Sequence, residues 1–168
     1  MAIEDHTHIV KCIAWATEAD TQAFAQALAE KLLVSGLGCH ALIQLHGDLG
    51  VGKTTFARHL LKGLGVLGRV KSPTYAVVEP YTVADAAAGE ARDIWHFDFF
   101  RFNDPNEWEE AGFRDIFAGP GLKLVEWPEK AGKHLPPADL DIHIELLSDE
   151  SRAVLLTAHS DAAAALLS

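Results

Sequence analysis

Residues 42–55 read Leu42-Ile43-Gln44-Leu45-His46-Gly47-Asp48-Leu49-Gly50-Val51-Gly52-Lys53-Thr54-Thr55, and no other stretch restricts the fold so strongly. A short apolar run of strand type breaks into a glycine-rich turn with the spacing G-x-x-x-x-G-K-T, and an amphipathic segment bearing Phe56, Leu60 and Leu64 follows at once. A strand, a tight turn and a helix in that order make a phosphate-binding loop, or P-loop. Gly47, Gly50 and Gly52 allow consecutive backbone N–H groups to curl round a phosphate, and the helix adds the positive end of its dipole. Lys53 is placed to reach β- and γ-phosphates, and Thr54 to set its hydroxyl on Mg2+. The candidate nucleotide-binding residues are therefore Asp48, Leu49, Gly50, Val51, Gly52, Lys53, Thr54 and Thr55.

The segments on either side fit an α/β chain. Residues 9–15 read as a short strand, and Thr17 offers a hydroxyl N-cap with Glu18 and Asp20 in the first turn of a helix. Phe24, Leu28 and Leu32 recur on one face of that helix, and Ser35-Gly36-Leu37-Gly38 ends it. After Lys71-Ser72-Pro73-Thr74-Tyr75 comes a β-rich run, residues 76–81, in which Pro80 predicts an edge strand. Residues 82–92 are alanine-rich, include Gly89, and are expected to form a loop or short helical excursion joining this strand antiparallel to another at 94–100. Asp104-Pro105-Asn106-Glu107 predicts a helix start with Asp104 as N-cap, and Gly112 its end. Residues 122–125 form a brief buried-type strand closing on Glu126-Trp127-Pro128. Alternation over 140–146, a turn at 148–151 and a return over 153–157 predict a hairpin, and residues 161–168 a short tail that frays. The expected architecture is one P-loop domain over residues 1–168, with its core at about 15–158. It has a central, mostly parallel sheet with antiparallel hairpin additions, flanked by helices.

Charge narrows the partners. Fourteen Lys and Arg against 24 Asp and Glu give a net charge of −10, which argues against a surface built to hold DNA or RNA phosphates directly. Cys12 and Cys39 have neither C-x-x-C spacing nor a nearby pair of histidine ligands, so neither a zinc site nor a disulfide framework is indicated. The first thirty residues lack the basic start and unbroken apolar stretch of a signal peptide, and no run reaches membrane-spanning length. The expectation is a cytoplasmic protein without a membrane partner.

A P-loop enzyme needs a carboxylate near the Mg2+ shell, normally at the end of a neighbouring strand. Asp98, in His96-Phe97-Asp98-Phe99-Phe100-Arg101, and Glu126, after Leu124-Val125, both stand at strand ends. The plain alternatives are an Asp98–Arg101 ion pair or turn contact, and an exposed Glu126. Thr74, held by a rigid Ser-Pro, is either a γ-phosphate sensor or an ordinary turn residue. Trp127 is either a stacking platform or a core aromatic. His46 and His96 read as structural, since no second ligand lies at metal spacing.

Four motifs in this order resemble the bacterial TsaE family, the small ATPase of the pathway that makes threonylcarbamoyladenosine in tRNA. They are Gly47 through Thr54, Ser72-Pro73-Thr74, His96 through Arg101, and Val125-Glu126-Trp127-Pro128-Glu129, and the resemblance spans residues 15–158. It implies that ATP and Mg2+ are the cofactors, with Lys53 and Thr54 on phosphate and metal. It also implies that Thr74 belongs to a switch-like segment, that Asp98 and Glu126 serve the metal and hydrolysis, and that Trp127 lies beside the nucleotide. The implied partner is a TsaB–TsaD complex, with tRNA met only indirectly and the base modified by others. Val51 stands where the family favours alanine, and Phe100 where it has a tyrosine. The rival readings are a small-molecule P-loop kinase, which calls for an arginine-bearing lid that six scattered arginines do not supply, and a nucleotide-gated binding module that never releases phosphate. A GTPase is disfavoured by the lack of an Asn-Lys-x-Asp motif.

Overall fold

The computed structural model describes residues 9–85 and 90–168. Seven strands, β1 (Ile9–Trp15), β2 (Leu42–His46), β3 (Val78–Asp85), β4 (Glu90–Asp98), β5 (Leu122–Glu126), β6 (Leu140–Leu146) and β7 (Arg152–Ala158), form one sheet in the order β1-β7-β6-β2-β5-β4-β3. The central pairings β6–β2, β2–β5 and β5–β4 are parallel, while β1–β7, β7–β6 and β4–β3 are antiparallel. The sheet is thus a parallel centre extended by antiparallel strands on both sides, as the motif order predicts. Pro80 does lie on an edge strand, β3, where its missing N–H leaves no central ladder bond unmade.

Helices α1 (Glu18–Val34) and α2 (Lys53–Gly63) pack together over one face of the sheet. Asp20 accepts hydrogen bonds from the Ala16 and Thr17 amides at 2.9 and 3.2 Å and so closes the start of α1. Leu28 and Leu32 of α1 are buried against Phe56 and Leu60 of α2, with Phe24 half-buried beside them. From the sheet, Ile43, Leu45, Leu122, Leu124, Leu140 and Ile142 fill the same layer. The other face carries a second cluster in which Phe97, Phe99, Trp108 and Phe113 surround Val125. It is covered by α3 (Glu107–Glu110), α4 (Arg114–Ala118) and two short 3-10 turns, Pro128–Lys130 and Gly132–His134.

Three local expectations are corrected. Most of the alanine-rich stretch 82–92 is strand, because β3 and β4 pair residue for residue from Val78↔Phe97 to Asp85↔Glu90; the part around Gly89 lies outside the described residues. Val83 is buried and Thr82 bonds Asp93 across the ladder at 3.1 Å, so pairing overrides the weak strand propensity of alanine. The helix expected from Pro105 begins at Glu107, since Asp104 spends its carboxylate on the Asn106 amide in a turn, at 2.9 Å, and Glu107 caps backward onto the Asn103 amide at 2.8 Å. The end of the chain forms α5 (Asp161–Ala165), capped by the Ser160 hydroxyl, and buries Ala163, Leu166 and Leu167 rather than fraying.

Candidate active site

The parity of two strands builds the site. Side chains alternate between the faces of a sheet, so Ile94, His96 and Asp98 of β4 share one side, as do Leu122, Leu124 and Glu126 of β5. Ile94, Leu122 and Leu124 belong to the layer under α1 and α2, which sets the three polar residues on the α2 side. Register places Asp98 directly beside Glu126, and β5 beside β2, whose carboxyl end runs into the P-loop. The three parallel strand ends therefore meet where α2 begins, the place where open α/β sheets bind ligands.

The loop itself needs its glycines. Gly47, Gly50 and Gly52 all have positive φ, and a Cβ on Gly47 would stand 2.5 Å from the Ile144 carbonyl oxygen. Lys53 and Thr54 are the first two residues of α2. The Lys53 ammonium donates to the carbonyls of Gly47 and Asp48 and lies 3.6 Å over the Trp127 ring. Burial pulls its pKa below the ordinary lysine value, opposed by Glu126, Glu129, Asp98 and Asp48. Thr54 Oγ1 donates to Glu126 Oε1 at 2.7 Å, and His96 Nε2 donates to Glu126 Oε2 at 2.8 Å. Glu126 and His96 are buried, and His96 Nδ1 has no hydrogen-bond partner among the described residues. Asp98 accepts from the Phe100 amide at 2.9 Å and from Thr74 Oγ1 at 3.2 Å. Burial pushes its carboxyl above the ordinary aspartate value, the Phe100 amide working against that rise and Glu126 adding to it.

A cavity of about 280 Å³ opens between these groups, lined by Leu49, Gly50, Gly52 and Thr55 on the loop side and by Thr74, Asp98, Phe100, Glu126 and Trp127 opposite, with Lys53 and Thr54 at its base. Asp48 is exposed and Val51 buried in the core, and neither of these two candidates lines the cavity. Arg101 makes no pair with Asp98 and instead lies 4.0 Å over the Tyr75 ring. Trp127 adopts left-handed backbone angles, φ 54° and ψ 49°, and packs on Phe100 at 5.0 Å between ring centroids.

Two residues at the site have no functional role assigned from sequence. His96 was read as structural, yet its spacing of two from Asp98 on a strand commits both to the same face. Arg152 of β7 lines the cavity and donates to the Val51 carbonyl at 3.0 Å; a lone arginine after a turn carries no local signal of that placement. His46 follows its reading: it donates to Asp141 at 2.6 Å on the opposite face of the sheet, where His159 bonds the same carboxylate at 2.7 Å.

Comparison with known proteins decides the family. The model of the threonylcarbamoyl adenosine biosynthesis protein TsaE matches residues 15–154. The chain belongs to the TsaE family. It is 41% identical over 138 residues to the tRNA threonylcarbamoyladenosine biosynthesis protein TsaE of Haemophilus influenzae, covering 82% of this chain and 83% of that one. The TsaE protein of Bacillus subtilis is 35% identical over 117 residues, 70% of this chain and 69% of that protein. In three dimensions the crystal structure of Bacillus subtilis YdiB superposes with a TM-score of 0.71 at 27% identity, covering 96% of this chain and 95% of that one. Membership in the TsaE family ties the chain to threonylcarbamoyladenosine biosynthesis. Among the described residues, no helix is long and apolar enough to cross a membrane.

Proposed function

We propose that the chain is a Mg2+-dependent ATPase whose hydrolysis of ATP supports a TsaB–TsaD complex, without itself touching the base that is modified. The observation that carries this reading is the single constellation joining Thr54, Glu126 and His96, with Asp98 and Thr74 alongside, at the mouth of the P-loop. Lys53 and the loop amides would hold the phosphates, and the Lys53 ammonium is kept in place by the Gly47 and Asp48 carbonyls. The donor set fits Mg2+: a threonine hydroxyl and two carboxylates are hard oxygen ligands. Among the described residues no closed cage of three or more His, Cys, Asp or Glu forms, which suits an ion shared with nucleotide phosphates. Thr54 and Glu126 would hold the ion, with Asp98 next in line; when bound it would offset the negative charge of the phosphates.

Glu126 and Asp98 are adjacent acids, and burial, with Glu126 beside it adding to the effect, raises the Asp98 carboxyl above the ordinary aspartate value. Thr74, bonded to Asp98 and 2.9 Å from Ser72 Oγ, ties this acid to the 72–74 segment, so a nucleotide that engages Thr74 would draw that segment onto the site. The cavity of about 280 Å³ is at the small end for a ligand pocket and suits the phosphates better than a whole nucleotide. Leu49, 72% exposed in its lining, and Tyr75, 80% exposed next in the chain to Thr74, support completion by a partner rather than by this chain alone.

The test is phosphate release from ATP by the chain alone and with a matching TsaB–TsaD pair, for wild type and Glu126→Ala. Release is expected to be weak alone, stimulated by the pair, and reduced at least about 100-fold in the variant. Equal, negligible release in every mixture would leave the nucleotide-gated module as the better account.

A further inference from the structure

We propose that the groove along the outer side of α2 binds the phosphodiester backbone of RNA. Arg58 and Lys62 project from α2, and Arg69 and Lys71 from the segment that follows it; together they line a groove of about 660 Å³. All four are exposed, and among the described residues none has an ion pair or side-chain hydrogen bond. Four of the chain's 14 basic residues thus stand in one place on a molecule of net charge −10.

The arrangement works against the fold unless something fills it. Arg58 and Lys62 are spaced i, i+4 on one helix face, where like charges repel. Gly65 and Gly68 both take positive φ and turn the chain so that Arg69 and Lys71 face the same groove instead of pointing away. A bound anion would relieve both repulsions. Four cations share one groove of about 660 Å³. That geometry suits a chain of phosphates, each met by a separate side chain, better than a single phosphate ion. An acidic protein face could also pair with such a groove. Arginine forks match phosphate oxygens, however, and half of the four cations are arginine.

The chain's overall charge does not oppose this. At physiological ionic strength remote charges are screened beyond about 8 Å, so the acids elsewhere weaken encounter while the groove acts on what is already close. An RNA delivered by a partner would meet the groove in just that way. The inference goes beyond the ATPase reading and is independent of it, because the groove cations do not line the P-loop cavity.

The test is fluorescence anisotropy of a labelled, unmodified tRNA transcript with the full chain, without nucleotide, from about 50 to 200 mM salt. Four phosphate contacts predict a slope of log affinity against log salt of about −3. Arg58→Glu with Arg69→Glu is expected to weaken binding at least tenfold and to flatten the slope by about 2, while Arg58→Lys with Arg69→Lys stays within about threefold. Unchanged thermal unfolding and unchanged binding of a fluorescent ATP analogue check that the charge-reversed protein is intact and that the nucleotide site is untouched. Absence of RNA binding at the lowest salt, or equal binding by the charge-reversed protein, overturns the proposal. Poly-glutamate binding as tightly as the transcript, with the same loss on charge reversal, would assign the groove to an acidic protein face instead. Loss of ATP hydrolysis leaves the anisotropy result standing, so the two readings fail separately.

Discussion

At Glu126 each carboxylate oxygen has its own partner, Thr54 on Oε1 and His96 on Oε2, so the rotamer is held from both sides. Such outer contacts orient the groups that meet a metal. His96→Leu is therefore expected to lower turnover about 10- to 100-fold while KM for ATP moves within about threefold. A steady-state comparison with the partner complex present checks this, and an unchanged turnover would reduce His96 to a filler of space. Asp141 is a different case, on the far face of the sheet. Burial pushes its carboxyl up, but the hydrogen bonds from His46 and His159 prevail and hold it below the ordinary value of 3.8. A depressed carboxylate stabilises the fold fully above its unfolded pKa, and that contribution is lost as pH falls through the folded one. Asp141→Asn should accordingly lower Tm at pH 7, with the difference from wild type shrinking as pH drops below 3.8. Melting curves from neutral to acid pH decide; a constant difference would sink the assignment. Of the candidate site residues, those within the G-x-x-x-x-G-K-T run were legible as one loop leading into α2 because their spacing is local. His96 was not, because its importance arises from Glu126, thirty residues away.

Between elements, α1 and α2 approach closely. Gly63, the last residue of α2, leaves room for α1, since a Cβ there would lie 2.8 Å from Ala29 Cβ and 3.6 Å from Gln26 Cα. Replacing glycine by alanine in a helix ordinarily gains about 0.5–1 kcal/mol, but overpacking costs about 1–3 kcal/mol. The clash wins here: Gly63→Ala is expected to destabilise the protein by about 1–2 kcal/mol, read as a lower urea midpoint at constant slope. An increase in stability would mean that the helices separate freely. The helices themselves were readable from Phe24, Leu28, Leu32 and Phe56, Leu60, Leu64, because an amphipathic period survives in any packing. The antiparallel pairing of residues 78–81 with 94–97 was readable too, but its extension through the alanine-rich stretch was not. Alanine is a poor strand former, and residues 82–85 and 90–92 become strand only because they have each other to pair with.

For the whole molecule, the final turn is a seal rather than an appendage. Leu166 and Leu167, 5% and 7% exposed, close the layer under α1, and their carbonyls accept from Lys31 at 3.2 Å and Lys11 at 2.9 Å. Burying each leucine is worth about 1.5–3 kcal/mol, so deleting residues 161–168 is expected to cost about 3–6 kcal/mol, a large share of the 5–15 kcal/mol of a typical domain. A urea titration of the shortened chain tests this; an unchanged midpoint would show the tail to be dispensable. By itself the sequence determined the P-loop with its strand and helix, the strand-end positions of Asp98 and Glu126, and the edge position of Pro80. All of these follow from short-range rules: glycine's positive φ, the end of an apolar run, the missing N–H of proline. Only the tertiary structure decided that β5 lies between β2 and β4, which brings Glu126 to Thr54 across 72 positions of sequence and Asp98 to its side. It alone also turned Arg152 toward the P-loop and gathered four cations into one groove. Strand order and loop placement depend on which buried surfaces fit together over the whole chain, and no window of neighbouring residues contains that information.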